Sequence, residues 1–262
     1  MENDLIERLQ QLPLGKIAYF KSVGSTNDVV AGWAAEGAPE FSLAVADEQT
    51  KGRGRSGRSW YTPPNATLTF SILLKPAMQD KTSSLARASA LGALALCQAL
   101  EDGYSLAPAI KWPNDVLLEE MKISGILAEA HWLGDKLQAV VLGMGINLAP
   151  SSLPPAESLT FPASYLEAHV GAEIDRGSLL KSILENLVGW KAKMNTPEFI
   201  KAWENRLAFK GQTVRLFSTP TDEVAGKLVG LTSAGHLKLQ TADGGLRLFQ
   251  AGEIHLRPRV DR

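Results

Sequence analysis

Net charge is what the sequence most conspicuously lacks. Its 27 Lys plus Arg stand against 28 Asp plus Glu, leaving −1 over 262 residues. A chain held along its length to nucleic acid or an anionic membrane is basic as a whole, so any cationic patch here is local. Cysteine is nearly absent too. Cys97 stands alone in an apolar run; that excludes an internal disulfide, reads as small core rather than a nucleophile, and fits a reducing, cytoplasmic setting. No uncharged apolar run reaches the roughly 18 residues of a membrane span. The Ala/Leu-rich stretch 85–100 is too short and contains Arg87. The N-terminus, MENDLIERLQQL, is charged and amphipathic, without the apolar segment of a signal peptide. Internal repeats and low-complexity tracts are absent as well. What remains is a chain with 45% hydrophobic residues, enough for one substantial core and a small second domain.

Local patterning predicts an α+β fold. LIERLQQL reads as a short helix capped by Asn3 or Asp4, and KIAYF (16–20) as a strand. A helix starts at Ser25-Thr26, sets Val29, Val30, Trp33 and Ala34 on one face and stops at Gly37. FSLAVADE (41–48) and TLTFSILL (67–74) are apolar strands, and 83–101 is a helix apolar nearly all round, hence buried. PAIKWPNDVLLEE, MKISGILAEAHWL and KLQAVVLGMGINL follow as three strand-like pieces. Neighbouring β segments of this kind imply a mixed or largely antiparallel sheet rather than strict βαβ alternation. After a proline-bearing loop (150–162), Leu179, Leu180, Ile183, Leu184, Leu187 and Val188 form a helical stripe within 178–194. Thr196-Pro197-Glu198 opens another helix with Pro at its first position. Beyond Gly211 the pattern changes to short alternating strands, QTVRLF, VAGKLVGL, HLKLQ, LRLFQ and EIHLR, with SAG and ADGG turns. The expectation is a catalytic-size domain over 1–209 and a small β-barrel over 210–262.

KGRGRSGRSW (51–60) runs directly out of a strand. Gly52, Gly54 and Gly57 let the backbone approach a ligand, so that amide N–H groups can converge on an anion. Arginine adds a planar fork for phosphate or carboxylate, and Trp60 a flat apolar face. Ordering ten residues costs on the order of 10 kcal/mol, and three arginine contacts at roughly 1.5–3 kcal/mol plus several amide bonds return about the same. The expectation is a loop mobile when empty and ordered by an anionic ligand. By itself the loop stays open to three readings: a solvated basic turn, a nucleic-acid contact or a phosphate site. It lacks the G-x-x-x-x-G-K-[ST] spacing, and Ser59-Trp60-Tyr61-Thr62-Pro63-Pro64 cannot open the helix that a dinucleotide G-x-G-x-x-G requires.

Further clusters accompany it. Gly24-Ser25-Thr26-Asn27-Asp28 places two hydroxyls and an amide at a helix start, where capping alone would explain them. Gln49 ends the strand before the loop. Lys111-Trp112-Pro113-Asn114-Asp115 joins a cation, a ring, a turn and a carboxylate. Lys122-Ile123-Ser124-Gly125-Ile126-Leu127 sets a lysine three residues before a glycine, and Gly143-Met144-Gly145-Ile146-Asn147 ends a strand. In this order, over residues 25–147, the motifs resemble those of the biotin protein ligases; the glycine–arginine loop together with KWPND is the specific part.

That resemblance implies a fold related to class II aminoacyl-tRNA synthetases and lipoate ligases, with an SH3-like C-terminal domain. It implies that biotin and ATP give biotinyl-5'-AMP and pyrophosphate, and that a lysine of a biotin carboxyl carrier protein then takes the biotin. Lys122, Arg55 and Asp115 are the implied catalytic residues. Ser25, Thr26, Asn27 and Gln49, with Gly52, Arg53, Gly54, Arg55, Lys122 and Gly125, are implied to bind biotin and its adenylate, Ser25, Thr26 and Gln49 at the ureido ring. Arg58, Trp60, Lys111, Asn114 and Asn147 are implied at the nucleotide. Mg²⁺ accompanies ATP, with Asp115 its nearest candidate ligand. Only 24 residues precede Ser25, so the expectation is the monofunctional type, without a DNA-binding domain. Pairing of sheet edges would make a homodimer, though no residue argues for it. Two alternatives compete: lipoate or octanoyl transfer on the same fold, against which the Gly-Arg-Gly-Arg loop argues, and a nucleic-acid-binding module, against which the neutral charge and the lack of aromatics within the loop argue.

Overall fold

Side-chain alternation and glycine placement, more than composition, decide how this chain builds its central sheet. The computed structural model describes residues 2–75, 81–159, 161–217, 223–250 and 255–258. The elements run α1 (Glu2–Leu9), β1 (Ile17–Phe20), α2 (Thr26–Ala35), β2 (Leu43–Ala46), β3 (Thr67–Leu74), α3 (Lys81–Tyr104), β4 (Ala109–Lys111), β5 (Asp115–Leu118), β6 (Met121–Leu133) and β7 (Lys136–Asn147). They continue with α4 (Leu166–Val170), α5 (Arg176–Lys193), α6 (Pro197–Asn205), β8 (Thr213–Phe217), β9 (Glu223–Leu231), β10 (Leu237–Gln240), β11 (Leu246–Phe249) and β12 (His255–Pro258). The expected cap of the first helix at Asn3 or Asp4 lies outside the described side chains, and so does the start of EIHLR.

Seven strands form one mixed sheet in the order β1-β2-β3-β7-β6-β5-β4. Only β1 and β2 pair in parallel; the other neighbours are antiparallel. PAIKWPNDVLLEE, read as one strand-like piece, is a hairpin of two, because Pro113 has no N–H for a ladder and breaks the run at Trp112-Pro113-Asn114. The buried helices start where their caps dictate. Asp175 accepts from Gly177 N and Ser178 N at 2.9 and 3.1 Å ahead of α5, and Thr196 caps α6 with Pro197 at its first position.

Strand β7 shows how the layers are divided. Val140, Leu142, Met144 and Ile146 face α3, on which α5 packs, and belong to the main core. Ala139 and Val141 face the opposite side and pack with Val30 and Trp33 of α2. Continuing on that second face with a period of two come Gly143, Gly145 and Asn147, where the apolar packing stops and a cavity begins. Cys97 is fully buried in α3, and burial pushes its thiol up.

The C-terminal strands form a five-stranded antiparallel sheet in the order β11-β10-β9-β8-β12. Among the described residues it is open: β11 and β12 are its two edges, and the expected closure into a barrel is not seen. Its buried Val214, Leu216, Leu228, Leu237 and Leu239 join the same apolar cluster as α3, α5 and α6.

Candidate active site

The cavity encloses about 860 Å³, and it is lined by Ser25, Thr26, Asn27, Gln49, the loop residues from Gly52 to Arg55, Arg58, Trp60, Lys111, Asn114, Asp115, Lys122, Gly125 and Asn147, the residues that the resemblance implies for ligand or chemistry. Gly57 of the basic loop is not among the lining residues. Its floor is the second face of the sheet. Gly143 lies between Ser71 on β3 and Leu127 on β6, and Gly145 between Thr69 and Gly125. Both glycines are required by what lies on them. A Cβ at Gly143 would fall on the Asn27 amide, and one at Gly145 on the Trp60 indole; at Gly125 it would lie 2.9 Å from the same ring.

One end of the cavity is a chain of hydrogen bonds. Ser25 precedes α2 but its side chain makes no cap bond, so capping does not explain it. Gln49 Oε1 accepts from Thr26 N at 2.8 Å and Thr26 Oγ1 at 3.0 Å. Thr26 Oγ1 also lies 2.7 Å from Ser71 Oγ, which donates to Asn27 Oδ1 at 2.5 Å. Gln49 is carried there from the end of β2, where the following Asp47 is gripped by Arg176 at 2.7 Å and by the Tyr19 hydroxyl.

The other end is a cluster of charge. Lys122 Nζ lies 2.7 Å from Asp115 Oδ1 and Lys111 Nζ 3.8 Å from Oδ2, while Lys111 also sits 4.0 Å above the Phe161 ring. Burial alone would push the Asp115 carboxyl up, but the two ammonium groups, a Lys122 hydrogen bond and Arg58 outweigh it and hold the carboxyl below its usual range. Two ammonium groups on one carboxylate leave positive charge unspent toward the cavity. Asn114 links the turn to the loop: its Oδ1 accepts from Arg55 Nη1 at 2.9 Å and its Nδ2 donates to Ile126 O at 2.9 Å.

The basic loop roofs both ends. Arg53 pairs with Ser59 as an isolated bridge, Trp60 N donates to Gly52 O at 3.0 Å, and Ser56 and Gly57 take positive φ (55° and 70°) at the tip. Trp60 rests on the glycine floor with Lys122 Nζ 5.4 Å from its ring. Arg53 does not face an open site: its fork closes on Asp28 at 2.7 and 3.0 Å and touches Glu129 at 3.4 Å. The side-chain hydrogen bond to Arg53 lowers the Asp28 carboxyl, and the same bond raises the guanidinium. Asn147 Nδ2 donates to Ser164 O at 3.0 Å, which ties the end of β7 to the segment after the proline loop.

Residues 19–147 match the Biotin/lipoate A/B protein ligase family, and residues 210–257 the biotin protein ligase C-terminal domain. The biotin–[acetyl-CoA-carboxylase] ligase of Paracoccus denitrificans is 34% identical over 229 residues, 84% of this chain and 92% of its own. The chain belongs to the biotin protein ligase family. The bifunctional ligase/repressor BirA of Bacillus subtilis is 32% identical over 243 residues, 90% of this chain and 72% of that one. A biotin protein ligase of Aquifex aeolicus, solved with biotin and ATP, superposes with a TM-score of 0.78 at 31% identity, covering 93% of this chain and 99% of that one.

Sequence reasoning missed several residues of this ligase-family cavity. Two supporting residues beneath it, Ser71 and Glu129, belong to no motif; the alternation Thr67, Thr69, Ser71 gives β3 a polar face, but only the register sets Ser71 opposite Gly143 and Glu129 opposite Val141 on the floor side. Ser152, Ser158 and Phe161 line the cavity from the loop read only as proline-bearing. Of that loop's approach, the bridge between Lys122 and Ala163 is the cause, and no local pattern announces it.

Proposed function

We propose that this cavity activates biotin with ATP and passes it to a protein lysine. In the first step an oxygen of the biotin carboxylate attacks the α-phosphorus of ATP, forming biotinyl-5'-AMP and expelling pyrophosphate. In the second, the amine of a lysine on a biotin carboxyl carrier protein attacks the activated carbonyl carbon; an amide forms, AMP leaves, and the amine sheds a proton. The observation that carries the reading is the placement of Lys122, Lys111, Arg55 and Arg58 around one end of a cavity whose other end presents the hydrogen-bonding side chains of Thr26, Asn27 and Gln49. Carboxylate and triphosphate repel, and fixed cations at their meeting point lower the barrier.

In this scheme Ser25, Thr26 and Gln49 meet the ureido ring, Lys122 the carboxylate and acyl-phosphate oxygen, and Arg55 and Arg58 the phosphates. Asp115 serves by holding both lysines. As a metal ligand it does not fit, since two ammonium groups already occupy it, and among the described residues no group of three or more His, Cys, Asp or Glu gathers. Mg²⁺ accompanies the triphosphate. Trp60 and the loop keep water from a hydrolysable anhydride. Residues 1–209 carry the chemistry and 210–262 form the accessory unit. The setting is cytoplasmic; among the described residues no helix is long and apolar enough to cross a membrane.

Biotin-dependent ATP–pyrophosphate exchange tests this directly, with lipoate as the competing acid. Exchange is expected with biotin and not with lipoate, and Lys122→Ala and Arg55→Ala each lower it about 10²–10³-fold, the range for removing a charge-stabilising donor. Undiminished exchange in both variants would overturn the assignment.

A further inference from the structure

Glu129 stands outside every motif that marks the cavity, yet two parts of the site meet on it. It lies on the floor face of β6, opposite Val141. Its Oε2 accepts from Asn27 Nδ2 at 2.5 Å and from Arg53 Nη2 at 3.4 Å. The rest of the Arg53 fork holds Asp28, the residue after Asn27. The first arginine of the loop therefore grips β6 and the first turn of α2 at once.

Chemistry then dictates how Asn27 stands. A carboxylate only accepts, so the amide must turn its NH₂ to Glu129 and its oxygen to the Ser71 hydroxyl, which donates at 2.5 Å. Ser71 adjoins Thr26, and Thr26 bonds Gln49. Side-chain contacts thus run without a gap from Arg53 in the roof through Glu129, Asn27, Ser71 and Thr26 to Gln49. Asn27, Ser71 and Thr26 are buried. The absence of a Cβ at Gly143 leaves the space that the Asn27 amide needs.

We propose that Glu129 is a positioning residue that couples closure of the basic loop to the seating of the biotin ring, by holding Asn27 and Arg53 on one carboxylate oxygen. This rests on the biotin reading above. The ion pair by itself would contribute little, because Arg53, Asp28 and Glu129 are 40, 59 and 35% exposed. The weight falls on the charge-assisted bond to buried Asn27, whose loss is expected to read as roughly ten- to a hundredfold.

Three variants separate the two contacts. Glu129→Ala removes both, Glu129→Gln keeps an acceptor for Asn27 without the charge for Arg53, and Asp28→Asn weakens only the Arg53 clasp. In pyrophosphate exchange, Glu129→Ala is expected to raise KM for biotin ten- to a hundredfold with KM for ATP within twofold; Glu129→Gln recovers most of that loss. Hydrogen exchange adds an independent readout. Biotin is expected to protect both 51–60 and the start of α2 in the wild type, and to protect only α2 in Glu129→Gln and Asp28→Asn. A biotin KM unchanged in Glu129→Ala, or equal rises in both KM values, overturns the proposal. A wild type without biotin-dependent exchange overturns the functional reading instead. The link is still read in that case, because Glu129→Ala must then speed amide exchange at both segments of the free protein and Asp28→Asn at the loop alone; unchanged rates overturn it.

Discussion

Asp115 is the residue on which the charged end of the cavity depends. Its carboxylate is largely shielded from water, and it stays ionised because Lys122 and Lys111 outweigh the cost of that shielding. A carboxyl whose folded pKa lies below its unfolded value adds stability above the unfolded value of about 3.9, and that stability is lost as pH falls through the folded value. The wild type should therefore lose thermal stability progressively below about pH 4, by an amount that Asp115→Asn does not show. At pH 7 the same variant removes the carboxylate that Lys122 holds at 2.7 Å and should cost about 3–5 kcal/mol, the scale of breaking a buried pair. Melting curves between pH 3 and 7 check both; parallel curves for wild type and variant would contradict the assignment. Asp115, Lys111 and Lys122 were legible in the sequence because each sits in a short motif of unusual composition. Glu129 and Ser71 were not, since polar residues within these strands announce no common site until the register sets Ser71 opposite Gly143 and Glu129 opposite Val141 on one face.

Strand β7 is the element that joins fold to site. Its run Val141, Gly143, Gly145, Asn147 shares one face and passes from core to cavity within four alternate positions. Read linearly, Gly-Met-Gly-Ile-Asn is a weak motif; read with a period of two it is a floor cleared for Asn27 and Trp60. Alanine at Gly145 would by backbone propensity favour the strand by roughly 0.5–1 kcal/mol, yet its Cβ would fall on the indole. Gly145→Ala should thus fold, displace Trp60 and lose most biotin-dependent exchange. Tryptophan emission shifting to the red with an unaltered far-UV spectrum is the expected signature; full activity with unchanged emission would show that Trp60 does not rest there. The loop itself was legible as a basic, glycine-rich segment, but not its internal clasp. Arg53 on Asp28, Arg55 on Asn114 and Arg58 Nε on Arg55 O offset part of the ordering cost that the sequence alone assigns wholly to a ligand.

At the scale of the whole molecule, the change of pattern after Gly211 suggested an appended unit, whereas the packing shows two sheets sharing one apolar cluster. The turn between β9 and β10 is held from three elements. Trp112 Nε1 donates to Gly235 O at 3.2 Å, Arg87 Nη2 to Ser233 O at 2.8 Å, and the Trp203 ring of α6 packs on Gly235, whose φ of 84° and lack of Cβ both suit the contact. Glu204 adds a bond from Leu231 N at 2.8 Å. None of this was legible, because contacts between residues 27 to 146 positions apart leave no periodic trace near either partner. Trp112 belongs to the turn that carries Asn114 and Asp115, so the C-terminal sheet braces the charged end of the cavity from behind. Two consequences follow for Trp203, which is fully buried. Trp203→Ala should cost about 3–5 kcal/mol and should lower pyrophosphate exchange although Trp203 does not line the cavity. In the wild type, urea unfolding followed by far-UV dichroism and by tryptophan emission should coincide in one transition, because neither sheet keeps its core when the other leaves. A separate early transition, with exchange activity surviving it, would mean that the C-terminal sheet is only attached to the catalytic fold and does not brace it.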